Sequence, residues 1–321
     1  MAWRWNGRRC FIALVVTSAV AASGSMSLGR EATPSYRTSV EAGCRELLPA
    51  RYALLDRELV RGDLRIRWAS AGVHAPADQR DGARNGVPDV IDDLMTQLVA
   101  ARAVYGRGLG LVDPLAQKRY QAARAITFFV MDLPRGNGLA FDEITRLPDD
   151  KGDGAPCSLA AVVSNRLDFS HNVTGAHELF HLFQYGYAMF KAPWLLEGMA
   201  RWSEGFFAGA APPRLAGAAP ANCQEATRLR YGASAFWTVR WETAGVTASV
   251  SEAAGGARYR NGFRVMAVNG DRGGDRVRAD LETLARLSRR TAADMGLPEH
   301  DWPEAVQKSD RFNGAICAAL R

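Results

Sequence analysis

Two of the chain's five histidines stand four residues apart in the segment TGAHELFHLFQYG, residues 174–186, with a glutamate directly after the first. On a helix, residues i and i+4 share a face, so His177 and His181 can aim their imidazoles at one point. Two ligands of a single metal require that placement. Glu178 can reach the same point without being a ligand. H-E-x-x-H spacing suits zinc: three protein ligands leave a fourth position, where water is acidified toward neutrality. Glu178 is then placed to act as general base, taking a proton and later delivering it. The competing account of the same letters is an amphipathic helix with two hydrogen-bonded histidines.

Two histidines do not complete such a site. Tyr187 stands where a metzincin would carry its third histidine, which excludes that class. Sixteen residues after His181, Glu197 lies in PWLLEGMARWSEGFF, residues 193–207. A short turn between antiparallel helices would bring its carboxylate to the histidine pair. With Trp194, Leu195, Glu197, Gly198 and Ala200 forming W-L-x-E-G-x-A after H-E-x-x-H, the sequence resembles the secreted bacterial gluzincin metallopeptidases. The loop N-G-V-P-D, Asn85–Asp89, is similar to one preceding the peptidase core in such enzymes, so the likeness runs over residues 60–245.

That resemblance implies zinc held by His177, His181 and Glu197, with Glu178 as catalytic base in peptide hydrolysis. It also implies an α+β, zincin-like fold: a small mixed sheet whose edge strand lies over the H-E-x-x-H helix, and a mainly helical C-terminal part. RYGASAFWTVRW, residues 230–241, resembles the later gluzincin helix in which a tyrosine stabilises the oxyanion, making Tyr231 the candidate for that role. His171 is a second candidate, while Tyr185 and Tyr187 follow the histidines too closely to be favoured. The pattern departs from thermolysin-like enzymes at Arg201, where those place an aspartate that orients a histidine. Glu204, on the same face as Glu197, can take over that orienting contact. The G-A-M-E-N signature of the aminopeptidase branch is absent, so the expected activity is that of an endopeptidase on peptide or protein substrates. A zinc-stabilised secreted binding or surface protein without turnover is the alternative.

A second metal is suggested upstream. With Asp81 as position 1, Asn85, the Val87 carbonyl, Asp89 and Asp92 fall at positions 5, 7, 9 and 12 of an EF-hand-type calcium loop, and Gly86 at its sharp turn. Position 3 is Ala83, so one carboxylate is missing. A polar turn with Asp89 near a helix start is the other reading.

These residues need elements to carry them. Alternation of Leu64, Ile66 and Trp68 predicts a strand within residues 57–70. Ala123–Pro134 and Cys157–Asn165 are rich in strand formers, and the latter is the expected cleft-lining edge strand, able to pair with an extended peptide. Val90–Tyr105, Thr174–Tyr187, Tyr231–Thr243 and Asp280–Ser288 read as helices, as does a segment opening at Pro193, a favoured first-turn residue. Strands first and helices later suggest α+β rather than a doubly wound sheet.

The chain has 321 residues, 47% apolar and 23% charged, ample for a real core. Arg4, Arg8 and Arg9 precede the apolar run 11–22, which small residues follow: the layout of a signal peptide over residues 1–24. That run is too short to span a bilayer, and no membrane span is expected in the mature chain. The domain organisation read from the sequence is a signal at 1–24, an N-terminal region at 25–115, and a catalytic domain at 116–321, secreted or periplasmic. Cleavage removes three arginines and no acids, taking the formal charge from +6 to +3. This mild, scattered bias carries no nucleic-acid motif, and none is expected as a partner. Cleavage also removes Cys10, leaving Cys44, Cys157, Cys223 and Cys317, enough for two disulfides in any of about three connectivities.

Overall fold

A computed structural model describes residues 45–46, 50–146, 157–210, 219–242, 253–267 and 272–321. The expected signal segment, Cys44 and residues 211–218 lie outside them. The architecture is mixed α/β, compatible with the α+β expectation. Six strands, β1 (Arg45–Glu46), β2 (Arg57–Arg61), β3 (Leu64–Trp68), β4 (Ala125–Met131), β5 (Gly138–Arg146) and β6 (Ser158–Ser164), form one sheet in the order β1-β5-β6-β4-β3-β2. Strands β3, β4 and β6 run parallel, while β2 and β5 are antiparallel to their neighbours β3 and β6. Strands from both sides of residue 115 therefore share a single sheet.

Strands β4 and β6 are buried along their whole length because both sheet faces are covered, which explains their unbroken apolar runs. Ile126, Phe128, Val130, Leu159, Ala161 and Val163 face the main core beneath the helices. Phe129, Met131, Ala160 and Val162 face a smaller cluster with Tyr52, Leu55 and Ala69. The expected strand within residues 57–70 is a hairpin: the chain reverses at Gly62, whose φ is +61°, and only Leu64–Trp68 carries the alternating buried pattern.

One expectation is corrected. The segment Cys157–Asn165 is not an edge strand, since β6 lies between β4 and β5. The strand toward the margin is β5. Its partner β1 pairs only with Thr145 and Arg146, so among the described residues Gly138–Ile144 has no strand on its outer side. Sequence reading missed β5 because a bulge between Ala140 and Ile144 breaks the two-residue period.

Helices α1 (Asp89–Ala103), α2 (Thr174–Tyr187) and α3 (Pro193–Ser203) follow the expected segments closely. Shorter α4 (Cys223–Ala226) and α5 (Ser234–Glu242) precede the 21-residue α6 (Asp275–Met295), then α7 (Glu304–Gln307) and α8 (Asn313–Ala319). A disulfide joins Cys223 to Cys317, and Cys157 is disulfide-bonded as well. No described helix is long and apolar enough to cross a membrane.

Asp280 of α6 ties the C-terminal helices together. Though only 4% exposed, its carboxylate accepts from Arg240 Nε at 2.5 Å and Nη2 at 2.8 Å, and from Trp241 Nε1 at 2.7 Å. Removing it strands a buried guanidinium and an indole donor. Asp280→Ala is expected to cost about 3–5 kcal/mol, read as a lower urea midpoint at unchanged slope.

Candidate metal centre

Helix α2 enters the core without a side-chain cap of its own. Gln97 of α1, fully buried, supplies one: its Oε1 accepts from Ala176 N at 3.0 Å, and its Nε2 donates to the Phe169 and Asn172 carbonyls. Tyr105 adds a hydrogen bond from its hydroxyl to the Ala176 carbonyl. The first turn of the motif helix is thus fixed from α1, an arrangement that spacing within the motif does not reveal.

One turn apart, His177 and His181 face the same way, their ring centroids 4.7 Å apart. Helix α3 lies alongside and brings Glu197 to them. Close packing of α3 on α5 depends on Gly198, where a Cβ would stand 2.8 Å from Ala233 Cβ and 2.9 Å from Trp237 Nε1. Glu197 Oε2 lies 3.4 Å from His177 Nε2 and 3.8 Å from His181 Nε2. One ligand atom from each of the three residues falls within 4.8 Å of the others, a group that could hold a metal ion.

The hydrogen bonds around these atoms leave the inward lone pairs free. His177 Nδ1 donates to Glu204 Oε1 at 2.8 Å, while the other Glu204 oxygen pairs with Arg201. His181 Nδ1 lies 2.8 Å from Gln184 Oε1, and the Gln184 amide nitrogen donates to the Leu196 carbonyl at 3.2 Å. With its nitrogen so engaged, Gln184 turns its oxygen to His181, which must therefore carry its proton on Nδ1. Once His177 is neutral, both Nε2 atoms are acceptors pointing at one spot. Glu197 Oε2 points there too, buried and without a hydrogen-bond partner. A buried carboxylate oxygen left unpaired is costly, and a cation at the shared point removes that cost. The donor set fits a metal that takes nitrogen and oxygen ligands.

Electrostatics agree. Burial works to raise the Glu197 pKa, but His177, His181 and Arg230 outweigh it and hold it at about 2. In the metal-free chain burial also opposes charge on His177, yet the nearby carboxylates of Glu197 and Glu204 raise its pKa to about 10. Burial and the neighbouring His177 push His181 down to about 3. Burial raises Glu178 to about 7, against the opposing pull of His177.

Glu178 sits against the first residue of β5. A Cβ on Gly138 would lie 2.5 Å from Glu178 Oε1 and 2.7 Å from Thr174 Cγ2, so only glycine leaves room for that carboxylate. Gly138→Ala must push Glu178 aside.

A cavity of about 680 Å³ opens over these groups, lined by Gly136–Gly138, His171, Glu178, Glu204, Arg230–Gly232 and Ser234 among others. Tyr231 is 48% exposed on its wall, its ring 6.2 Å from that of His177. His171 lies on the same cavity, its Nδ1 3.0 Å from Asp168 Oδ2. Tyr185 stacks beneath His181 at 5.9 Å, and Tyr187 donates nothing here: its hydroxyl accepts from Val112 N instead. Sequence reasoning missed Gln97, Gly138, Gln184 and Arg230. Gln184 had a signal, lying three residues after His181 on the same helix face.

The structure does not gather the suggested calcium ligands. Among the described residues, only His177, His181 and Glu197 bring three such groups together. Asp81 accepts from the Asn85 and Gly86 backbone, and Asp89 from Gly82 N. The Asn85 side chain bonds Asp92 and Val87 N, and the Arg260 guanidinium lies 3.5 Å from Asp89.

Fold and site together define a mixed α/β protein with a His-His-Glu group that could hold a metal ion, carried on two adjacent helices beneath a cavity. Compared with protein-family models, with curated proteins and with solved structures, the chain matches none.

Proposed function

We propose that the chain is an exported, zinc-dependent endopeptidase of the gluzincin type with a zincin-like fold. The observation that carries the reading is the convergence of two Nε2 acceptors and an unpartnered buried Glu197 oxygen, next to Glu178 and an open strand margin. Zinc held by His177, His181 and Glu197 would supply activated water and a Lewis acid for attack on a peptide carbonyl.

The remaining work falls to the chain. Outer backbone groups of Gly138–Ile144 bind an extended peptide as an added strand. Glu178 takes the proton of the attacking water at its carboxylate and delivers it to the leaving nitrogen. Its raised pKa matches a group that must both accept and release a proton near neutrality. The Tyr231 hydroxyl, on the cavity wall, donates to the oxygen on which negative charge develops. Of the carboxylates near Glu178, Glu197 is held by Arg230 and Glu204 by His177 and Arg201, so neither is left to anchor a free amino terminus. That favours internal cleavage. The Cys223–Cys317 disulfide is in keeping with an oxidising compartment.

Metal analysis of the purified chain, followed by cleavage-site profiling on a proteome-derived peptide library with and without chelator, tests the reading. Near-stoichiometric zinc and chelator-sensitive cuts are expected. A chain that neither retains zinc nor cuts any peptide would refute it.

A further inference from the structure

A carboxylate can ligate through one oxygen or two, and the second mode fills a coordination position that chemistry needs open. In this chain the two oxygens of Glu197 have different surroundings. Oε2 faces the histidine nitrogens with no hydrogen-bond partner. Oε1 accepts from Arg230 Nη2 at 2.8 Å. Arg230 is itself braced, since its guanidinium lies over the Tyr231 ring at 5.2 Å, a cation–π distance. The residue precedes the short turn Tyr231–Ala233, which leads into α5, the helix against which Gly198 packs α3. Both ends of the Arg230–Glu197 contact are therefore held by one packed helix pair.

We infer that Arg230 is a positioning residue that holds Glu197 Oε1 away from the metal, so that Glu197 ligates through Oε2 alone and a coordination position stays open. This rests on the zinc-site reading above. An exposed guanidinium at 62% side-chain accessibility gives little as a bare ion pair. Its contribution here is directional: a donor on Oε1 fixes which oxygen turns inward.

Cobalt(II) in place of zinc tests this, because its visible bands are several times more intense in four-coordinate than in five-coordinate sites. The parent, Arg230→Ala, Arg230→Lys and a surface control, Arg228→Ala, are loaded with cobalt and their spectra compared. Expected are intense four-coordinate bands for the parent and Arg228→Ala, and a loss of intensity in Arg230→Ala. Arg230→Lys, which keeps a donor for Oε1, is expected to restore most of it. At saturating zinc, Arg230→Ala is expected to lower kcat on labelled casein about ten- to a hundredfold with KM changed much less. Superimposable parent and Arg230→Ala cobalt spectra would overturn the inference while leaving the zinc site standing. A parent that takes up neither cobalt nor zinc would overturn the site reading, and this inference with it.

Discussion

Glu178→Gln is expected to lower peptide hydrolysis by about 10³-fold, within the range for loss of a general acid–base group, while zinc content stays that of the parent. The amide keeps the shape of the side chain, so the contact with Gly138 and the fit beneath β5 survive. It removes only the proton acceptor. Glu178 lies outside the His177–His181–Glu197 group, and for that reason zinc retention and turnover should separate cleanly in this variant. Burial also makes the residue costly to keep ionised: its pKa rises to about 7, so a substitution that removes the charge gives up no folding stability. A Glu178→Gln protein as stable as the parent or more so, zinc-loaded and inactive, is the expected triad of results. Equal cleavage of the same library by both proteins would take Glu178 out of the role. A binding protein whose metal is purely structural has no use for this carboxylate and would lose nothing measurable.

The parts of this site that follow helical period were legible in the sequence. His177 and His181 repeat at four-residue spacing with Glu178 beside the first, and Pro193 marks the start of α3, so α2 emerges with its observed bounds and α3 with its observed start. Glu204, proposed from its face on α3, does reach His177. What stayed hidden depends on contacts between segments distant in sequence. Gln97 caps α2 from 79 residues upstream, and Arg230 meets Glu197 from 33 residues downstream. No local pattern encodes either. Strand order was hidden for a related reason: β6 is apolar throughout because neighbours cover it, a signature equally compatible with a central or a marginal position until β5 is seen. Gly138 carries no signal of its own, since its requirement comes from Glu178 and not from a turn.

Stripping the metal is expected to lower the melting temperature by several degrees, and Glu197→Ala to abolish that metal-dependent difference. A ligand bound only by the folded state stabilises it by about 4 kcal/mol at a free concentration a thousand times its Kd. The gain here comes on top of relief for Glu197 Oε2, which has no other partner. The difference between zinc-loaded and chelated samples is the readout, so any change in a variant's own baseline cancels. Glu204→Ala makes the contrast: its loss frees His177 Nδ1 but removes no ligand, and zinc should weaken only about 10–100-fold. The pH dependence has a definite sign. Against the opposing effect of burial, the carboxylates of Glu197 and Glu204 keep a second proton on metal-free His177 up to a pKa of about 10, and that proton must leave for Nε2 and Nδ1 to serve metal and Glu204 together. Zinc therefore competes with a proton throughout the neutral range, and its affinity should rise about tenfold per pH unit there. Titration calorimetry in buffers of different ionisation enthalpy reads the released proton directly. A zinc affinity flat between pH 6 and 9 would place the metal somewhere other than this histidine pair.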